Sequence, residues 1–577
     1  MADMRVWAPN AHEVTVHSSD QVLAMTKEAG GWWHVDAPFI RHGVDYAFAV
    51  DGNGPFPDPR SFWQPNGIHG PSRWVDHSLF EWNDAGWQPP PLGSAVIYEL
   101  HLGTFTPEGT CDAAIRRLDH LKTLGITHVE LMPVAQFSGE RGWGYDGVDL
   151  YAPHQAYGGP EGVKRLVDAC HHRGLAVLLD VVYNHLGPAG NYLNQFAPYF
   201  TDRYATPWGD AINFDEQDSN EVRQFFIDNA VMWLKDYHFD GLRIDAVHAI
   251  VDMSAVHFLE QLANEVKMLE FALGRHFVLI AESDLNDSRV VRSPAVGGYG
   301  IDAQWNEDFH HALHAVLTGE NQGYYQDFGT LAQLTKVLTT GFAYDGCYSG
   351  YRRRCHGRPA DGLCGSQFVA CLQNHDQVGN RAQGDRTSRL LPPGLLKIGA
   401  VLVMMSAFVP MLFQGEEWGA STPFLYFTDH REPGLGEAVK HGRQKEFAAF
   451  GWESEAIPDP QSEETFLKSR LSWDELQEAA NNRMLAWHQS LIALRRSQAC
   501  LTDGRIDRAS VFFNETERWL TMARGSVLVA CNFADAPRII SCAAAKDKTM
   551  VLSSEDGFVV ENTTLMLPAQ AVAILVG

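Results

Sequence analysis

The sequence predicts an α/β protein in which a closed (β/α)8 barrel is flanked by an N-terminal β-sandwich and a C-terminal β domain. Eight strand-like apolar runs alternate with helical patterns through the middle of the chain, as expected for parallel strands that are buried on both faces. Short alternating runs with turn signals precede and follow this region. Three of the apolar runs end in an acidic residue, which places the candidate chemistry at one mouth of the barrel.

Length and composition predict a globular chain of more than one domain. The 577 residues exceed the usual size of one domain, and 45% apolar with 20% charged residues is not the composition of a disordered chain. The net charge of −26 repels phosphate backbones and anionic lipid heads. We therefore expect neither nucleic acid nor a membrane as a partner.

Residues 1–92 have the pattern of a small β-sandwich. The run MRVWAPNAHEVTVHS alternates apolar and polar residues and is interrupted by Pro9-Asn10, and two later runs repeat this rhythm. The Pro-rich segment from Trp87 to Gly93 is a stiff connector, and we predict a domain boundary there.

Residues 93–497 alternate between strand and helix patterns and are predicted to form the barrel. Eight such units favour a closed barrel over an open sheet, and no GxGxxG motif follows the first strand, which argues against a dinucleotide-binding fold. The strands are predicted at 95–105, 127–134, 176–185, 241–247, 277–283, 301–309, 368–376 and 409–418. Helices are predicted over 112–125, ending at Gly125, and over 161–173, 221–238, 254–269 and 481–497.

Two long excursions interrupt the barrel. Residues 186–220 and 419–475 are turn-rich and follow the third and eighth strands, at the end of a barrel where loops build pockets. The longest apolar stretch, from Ile398, is shorter than a membrane span and is broken by Pro410, so a buried helix leading into a strand is expected. Short alternating runs over 498–577 predict the C-terminal β domain.

Cysteine usage and the N-terminal residues predict a cytoplasmic protein. The nine cysteines are odd in number and include no CxxC pair, which favours reduced thiols over a disulfide framework. The N-terminus lacks a basic start followed by an apolar core, so no secretion signal is expected.

Asp245, Glu282 and Asp376 are the candidate catalytic residues, because each ends a strand-like apolar run. A carboxylate there is costly unless it is paired or used, and three on separate strands indicate convergence at the mouth. Cleavage of an acetal between sugars needs two carboxyls, one to protonate the leaving oxygen and one to attack or to activate water.

Neighbouring residues predict different protonation states for these carboxyls. Arg243 and Asp245 lie two residues apart and share one face of the strand, so the guanidinium would keep Asp245 ionised as a nucleophile. Glu282 follows the apolar run FVLIA, which suits a protonated general acid. Asp376, across the mouth, is suited to gripping hydroxyls and to stabilising positive charge in the transition state.

Four short motifs resemble the signature regions of the α-amylase superfamily of retaining glycosidases and transglycosylases: DVVYNH (180–185), GLRIDAVH (241–248), AES (281–283) and QNHDQ (373–377). GYDGVDLY (144–151) resembles the stretch after that family's second strand. The resemblance implies that Asp245 is the nucleophile, Glu282 the acid/base and Asp376 the transition-state stabiliser. It also implies that Arg243 lies beside the nucleophile and that substrate is contacted by Tyr145, His185 and His375.

Four further polar residues near these motifs are open to two interpretations. His248 and Glu307 are as compatible with contact to the leaving sugar as with a solvated rim. Asp180 is expected to be structural, and so is Asn184, because the several oxygens that calcium needs cannot be assembled from the sequence. We expect neither a metal nor a cofactor, since side chains supply both the proton and the nucleophile.

The order of domains and three local segments resemble one subgroup of that superfamily. A strand domain with VWAPNA (6–11) before the barrel resembles the branching enzymes, debranching enzymes and maltooligosyltrehalose trehalohydrolases. Segments 281–292, 301–314 and 412–418 resemble the last of these. The resemblance implies retaining hydrolysis of the α-1,4 bond next to a terminal trehalose, with maltooligosyl trehalose as substrate and a separate maltooligosyl trehalose synthase as functional partner. The chain could instead be a branching transferase, a general α-glucan hydrolase or a non-catalytic glucan-binding protein, and the three carboxylates argue against the last of these.

Overall fold

The computed structural model describes residues 2–432, 434–448 and 457–577. Its centre is a closed barrel of eight parallel strands that are hydrogen-bonded to one another in chain order. The predicted fold class and all eight predicted strand positions are confirmed. The barrel strands are β1 (Ile97–Leu100), β2 (His128–Leu131), β3 (Ala176–Val181), β4 (Gly241–Ile244), β5 (Val278–Ala281), β6 (Ala303–Trp305), β7 (Phe368–Cys371) and β8 (Val409–Phe413).

Helices cover the barrel after seven of its strands. Gly125 ends the first of them in the left-handed conformation (φ +100°), as predicted, because a residue without Cβ adopts this cap at little cost. The connection from β5 to β6 holds only the 3-10 turn Pro294–Val296, and no α-helix occurs among its residues, all of which are described. The main covering helices are Cys111–Ile115 with Leu118–Leu124, Gly159–His172, Ser219–Lys235, Phe258–Leu273, Glu307–Thr318, Pro393–Met405 and Ala479–Ser497.

The predicted strand runs extend too far at the mouth of the barrel. The run 301–309 contains only the three residues of β6, because the Asn306 side chain accepts a hydrogen bond from the Phe309 amide and starts a helix. The runs 95–105 and 368–376 likewise end in the short helices Leu102–Phe105 and His375–Gly379. The helices after β6 and β7 are capped by the side chains of Asn306 and Asn374, whereas the helix Leu102–Phe105 has no side-chain cap.

Three insertions rise above the mouth. The 186–220 excursion forms the hairpin Phe200–Thr206 and Gly209–Ile212, and the 419–475 excursion contains the helices Leu435–Ala448 and Glu463–Lys468, with residues 433 and 449–456 outside the described part. A third insertion, which the sequence pattern did not indicate, lies between β6 and β7. It contains the helix Leu331–Thr340 and the hairpin Asp345–Ser349 and Arg354–Gly357.

Antiparallel sheets flank the barrel on both sides in sequence. The N-terminal strands form one three-stranded sheet and a second, larger sheet, and they are Ala2–Trp7, Val14–Ser18, Gln21–Ala24, Thr26–Lys27, Trp32–Ala37, Asp45–Val50, Asn53–Phe56 and Ser72–Arg73. The C-terminal strands form a five-stranded and a three-stranded sheet, and they are Ala509–Asn514, Trp519–Arg524, Val527–Asn532, Arg538–Ser541, Thr549–Ser553, Val559–Glu561, Thr564–Leu567 and Ala571–Val576.

Polar contacts fix both flanking regions to the barrel. In the segment between the N-terminal sheets and the Pro-rich connector, Asp84 accepts hydrogen bonds from His171 and His238 (2.8 Å each). On the C-terminal side, the buried Arg524 of the strand Trp519–Arg524 donates to the backbone carbonyls of Met405 and Ser406. No helix of the described residues has the length and apolar character needed to cross a membrane, and the segment around Ile398 is the predicted buried helix leading into β8.

Candidate active site

A cleft of about 740 Å³ opens at the C-terminal ends of the barrel strands. Six of the nine predicted site residues line it, namely Asp245, Glu282, Asp376, Tyr145, His185 and His248. The other three, Arg243, Glu307 and His375, lie behind its wall, where Arg243 and His375 contact residues that line it and Glu307 contacts Gln377. The structure therefore brings the three candidate carboxylates to one enclosed space.

Asp245 follows β4 directly and projects into the cleft. Its strand begins at Gly241, where a Cβ would lie 2.3 Å from the Val278 carbonyl oxygen, so glycine permits the close approach of β4 to β5. The Asp245 Oδ1 accepts a hydrogen bond from Arg243 Nη1 (2.8 Å), and its Oδ2 accepts one from Asn184 Nδ2 (2.9 Å). Both carboxylate oxygens are thus held by side chains, one from β4 itself and one from the segment after β3.

The surroundings of Asp245 favour its ionised form. Burial alone would raise the pKa of Asp245, but the positive charge of Arg243, the nearby His185 and the hydrogen bond from Asn184 together lower it. An ionised carboxylate that faces the cleft is what a nucleophile requires.

Glu282 follows β5 and is held by the turn after β4. Its Oε2 accepts a hydrogen bond from the Ala246 amide (2.6 Å), and Ala246 adopts the left-handed conformation (φ +39°, ψ 52°). Such backbone strain at a non-glycine residue is typical of functional sites, and here it accompanies the N–H contact to the carboxyl group. Burial raises the pKa of Glu282, Arg243 opposes this, and the charge of Asp245 raises it further, so the net shift is upward.

One guanidinium group separates the two carboxyls. Arg243 Nη1 lies 2.8 Å from Asp245, and Nη2 of the same group lies 3.8 Å from Glu282 Oε2. The pKa of Asp245 is shifted down and that of Glu282 up. Two neighbouring titratable groups with opposite shifts are the pattern of a general acid beside a nucleophile.

Asp376 stands across the cleft in the short helix His375–Gly379. Its side chain is 41% exposed, the most open of the three carboxylates, and its Oδ1 lies 3.5 Å from His375 Nε2. Asn380 Nδ2 also approaches this oxygen, at 3.3 Å. The free face of the carboxylate is therefore available to a ligand in the cleft.

A buried network that the sequence pattern did not indicate supports Arg243. Asp180 lies opposite Arg243 in the β3–β4 register, accepts from Arg243 Nη1 at 2.8 and 2.9 Å and accepts from the Tyr145 hydroxyl at 2.6 Å. The Trp305 ring lies 4.1 Å from the guanidinium carbon, within cation–π range. Asp180 is thus structural, as predicted, but it acts on the residue that charges the site.

His185 forms part of the cleft wall together with Trp208. The His185 Nε2 lies 2.8 Å from the Tyr145 carbonyl oxygen, and its ring stacks on Trp208 with centroids 4.7 Å apart and planes 12° apart. Trp208 belongs to the hairpin of the 186–220 excursion and was not predicted as a site residue. The only sequence signal was an aromatic residue beside Pro207 and Gly209 in a long loop.

The two rim candidates occupy different positions. His248 is exposed on the cleft wall, three residues after Asp245. Glu307 is covered and accepts a hydrogen bond from Gln377 Nε2 (2.8 Å). Burial, followed by the charges of Glu282 and Asp376, raises the pKa of Glu307 to about 8.

The pKa shifts predict a bell-shaped pH profile of kcat/KM. Asp245 must be ionised and its pKa lies below the usual 3.8, so activity is lost as pH falls through that lowered value. Glu282 must be protonated and its pKa lies above the usual 4.5, so activity is lost as pH rises through that raised value. Initial rates on a glucan substrate across the acid and neutral pH range check this. An alkaline limb with its midpoint below pH 4.5 would contradict the role of Glu282.

Three side chains able to hold one metal ion come together once among the described residues, at Asp3, His34 and Asp36 of the N-terminal sheet. None of them lines the cleft.

The closed barrel and the carboxyl pair at its mouth define a glycoside hydrolase of the α-amylase type. The sequence model of the Alpha amylase, catalytic domain family matches residues 59–206. The malto-oligosyltrehalose trehalohydrolase of Arthrobacter ramosus is 54% identical, over 85% of this chain and 86% of its own length. The chain belongs to the malto-oligosyltrehalose trehalohydrolase family.

Two further relatives span the whole chain. The malto-oligosyltrehalose trehalohydrolase of Mycobacterium tuberculosis is 48% identical over 100% of this chain and 99% of its own length. A solved structure described as a putative alpha amylase from Salmonella typhimurium superposes with a TM-score of 0.92 at 37% identity, covering 100% of this chain and 98% of its own. The predicted resemblance is thus confirmed over the full length.

Proposed function

We propose that this protein hydrolyses the α-1,4 bond between a terminal trehalose unit and a maltooligosyl chain and releases trehalose. The observation that carries the proposal is the pair Asp245 and Glu282, which flank one guanidinium in a cleft and have opposite pKa shifts. Membership of the trehalohydrolase family supports trehalose as the leaving group.

The proposed reaction has two steps and retains the anomeric configuration. Glu282 donates its proton to the glycosidic oxygen while Asp245 attacks the anomeric carbon, which gives trehalose and a glycosyl–Asp245 ester. The ionised Glu282 then takes a proton from water as that water attacks the ester. Asp376, across the cleft, stabilises the positive charge that develops on the sugar ring in both transition states.

The remaining predicted residues have proposed roles in binding and positioning. Tyr145 and His185 line the cleft beside Asp245 and are proposed to contact the sugar that is attacked. Arg243 keeps Asp245 ionised, and His375 acts through its contacts with Tyr145 and Asp376. His248 and Glu307 are proposed to act on the leaving-group side of the cleft. His248 would contact the leaving sugar, and Glu307 would act through its electrostatic interaction with Glu282.

A comparison of two substrates of equal length tests this function. We expect rapid release of trehalose from maltotriosyl trehalose and slow cleavage of maltopentaose, because the second substrate lacks the 1,1-linked end. Chromatography of the products gives both rates in one assay. Equal rates on the two substrates would reject trehalose selectivity and leave a general α-glucan hydrolase.

A branching transferase and a glucan-binding protein would each give a result that differs from hydrolysis. A branching transferase would shift the iodine colour of amylose without forming new reducing ends, because another glucan chain replaces water as acceptor. A glucan-binding protein would release no sugar from either substrate. Reducing-end and iodine assays on amylose separate these cases from hydrolysis.

We also propose a cytoplasmic location and a functional link to a separate maltooligosyl trehalose synthase that supplies the trehalose-terminated substrate. The location is supported by the nine cysteines, which are all unbonded to one another, as expected in a reducing compartment. The link follows from the substrate, since a glucan acquires a trehalose end only by a prior reaction at its reducing terminus.

A further inference from the structure

A buried hydrogen-bond chain runs beneath the cleft from β1 to Asp245, and its first member was not among the predicted site residues. Glu99 of β1 is 1% exposed and His375 is fully buried. Glu99 Oε2 accepts from the His375 backbone amide (2.9 Å), and Glu99 Oε1 contacts His375 Nδ1 (2.5 Å). One carboxylate therefore binds both the backbone and the ring of the residue next to Asp376.

The chain continues from the other ring nitrogen of His375. Nε2 lies 2.8 Å from the Tyr145 hydroxyl oxygen, and this hydroxyl lies 2.6 Å from Asp180 Oδ2. Arg243 Nη1 then contacts Asp180 on one side and Asp245 on the other. The five links join Glu99 to the proposed nucleophile without a gap.

With Glu99 Oε1 as the acceptor from His375 Nδ1, hydrogen counting leaves two proton arrangements along this chain. The Tyr145 hydroxyl has one hydrogen and can donate to only one neighbour. If it donates to an ionised Asp180, it must accept from His375, so both ring nitrogens of His375 carry hydrogen. If instead Asp180 holds the proton, Tyr145 donates to a neutral His375 ring, and the total charge is the same.

Three contacts favour the first arrangement. Arg243 Nη1 approaches both oxygens of Asp180 (2.8 and 2.9 Å), as it would approach a carboxylate. Asp376 Oδ1 lies 3.5 Å from His375 Nε2, where a hydrogen on that nitrogen is favourable. Glu99 Oε1 contacts the opposite ring nitrogen, Nδ1.

We propose that Glu99 is a positioning residue, which holds the His375 ring doubly protonated and so fixes the direction of the hydrogen bonds from His375 through Tyr145 to Asp180. This deepens the proposed function and rests on it. The fixed direction keeps Tyr145 pointed at Asp180, keeps Asp180 ionised for Arg243 and places a positive charge beside Asp376.

The electrostatic surroundings place the shared proton on His375 rather than on Asp180, because burial raises the pKa of Asp180 only to about 7 against the charge of Arg243, which is below the pKa of His375. Burial lowers the pKa of His375, but the charges of Asp376 and Glu99 and the hydrogen bond to Glu99 raise it to about 9. Burial and Asp180 raise the pKa of Tyr145 well above its ordinary value, so its hydroxyl keeps its hydrogen. The titratable and charged groups that face the His375 ring are Glu99, His101, Glu130, Tyr145, Asp180, Arg243 and Asp376.

The matched pair Glu99→Gln and Glu130→Gln tests the proposal by activity. Glu130 on β2 pairs in register with Glu99 and is equally buried. Burial raises the pKa of Glu130 well above its ordinary value, which favours the neutral carboxyl. Among the described residues, no hydrogen bond or ion pair joins the Glu130 side chain to His375. We expect Glu99→Gln to lower kcat by about 10- to 100-fold, as loss of a residue that orients a catalytic group does. Glu130→Gln should retain the wild-type kcat, and Glu99→Asp should recover part of the loss by restoring the charge.

A double-mutant comparison with Tyr145→Phe distinguishes an effect that passes through the hydrogen-bond chain from a general loss of packing. If Glu99 acts through Tyr145, the double variant of Glu99→Gln with Tyr145→Phe loses little more activity than the more damaging single variant. If instead the fold-loss of the double variant equals the product of the two single fold-losses, Glu99 does not act through Tyr145. A folded Glu99→Gln with wild-type kcat would overturn the proposal, whereas an inactive wild-type enzyme would overturn the proposed function instead.

Neutron diffraction of the unaltered protein provides a second test that depends on neither activity nor a variant. We expect deuterium on both ring nitrogens of His375, deuterium on the Tyr145 hydroxyl directed at Asp180, and none on the Asp180 carboxylate. Deuterium on the Asp180 carboxylate and none on His375 Nε2 would show the second arrangement. That result would overturn the proposal even if the substitutions reduce activity.

Discussion

Replacement of Asp245 by alanine is expected to lower kcat/KM on maltotriosyl trehalose by about 10⁵-fold, which is the order of loss found when a covalent nucleophile is removed. The substitution deletes the attacking oxygen and removes the contact of Arg243 with that carboxylate. Asp112→Ala is the control, because Asp112 is an exposed acid that pairs with Arg165 on the outside of the barrel, and it should keep full activity.

Azide gives this prediction a chemical readout. With Asp245 gone, a small anion has room to attack the anomeric carbon from the side that the carboxylate occupied, with Glu282 still present to protonate the leaving trehalose. We expect partial recovery of trehalose release with azide and a β-configured glycosyl azide as co-product, identified by NMR. An Asp245→Ala enzyme that keeps substantial activity without azide would remove Asp245 from the mechanism.

The second large effect is expected for Glu282→Gln. Kcat/KM on maltotriosyl trehalose should fall by about 10³-fold, because general acid catalysis typically contributes 10²- to 10⁴-fold and a glutamine cannot protonate the leaving oxygen. The loss on maltosyl fluoride should be far smaller, since fluoride leaves without a proton. The difference between the two losses isolates the acid role from any role in binding the sugar.

The pH profile of the same variant supplies a further check. The alkaline limb assigned to Glu282 should be absent when Glu282→Gln is assayed on maltosyl fluoride, while the acid limb of Asp245 remains. Equal losses on both substrates, or an alkaline limb that survives unchanged, would show that Glu282 does not act as the acid.

The catalytic candidates could be located from the sequence because their signals are local. A carboxylate directly after an apolar strand, and an arginine two residues before an aspartate, depend only on the strand that carries them. Asp245, Glu282 and Arg243 therefore lie where the pattern predicts them. The closed barrel followed for the same reason, since eight buried strands in series repeat one local pattern.

The supporting contacts depend on register, which the sequence pattern does not specify. Asp180 meets Arg243 because β3 and β4 pair in a particular register, and Asn184 reaches Asp245 from the end of that same β3 segment. Glu99 has the sequence context of an ordinary strand residue, and only closure of the barrel brings β1 near the segment after β7 that holds His375. Trp208 comes from a hairpin whose turn-rich sequence predicted a loop.

Mass spectrometry of a trapped intermediate tests the central claim most directly, namely that Asp245 is the nucleophile in a cleft shared with Glu282 and Asp376. A fluorinated maltosyl fluoride slows both steps of a retaining reaction, so the ester accumulates and survives proteolysis at low pH. We expect one added fluoromaltosyl group, which has two sugar rings, on the peptide that contains Asp245. A label on the peptide of Glu282 or of Asp376 would contradict it.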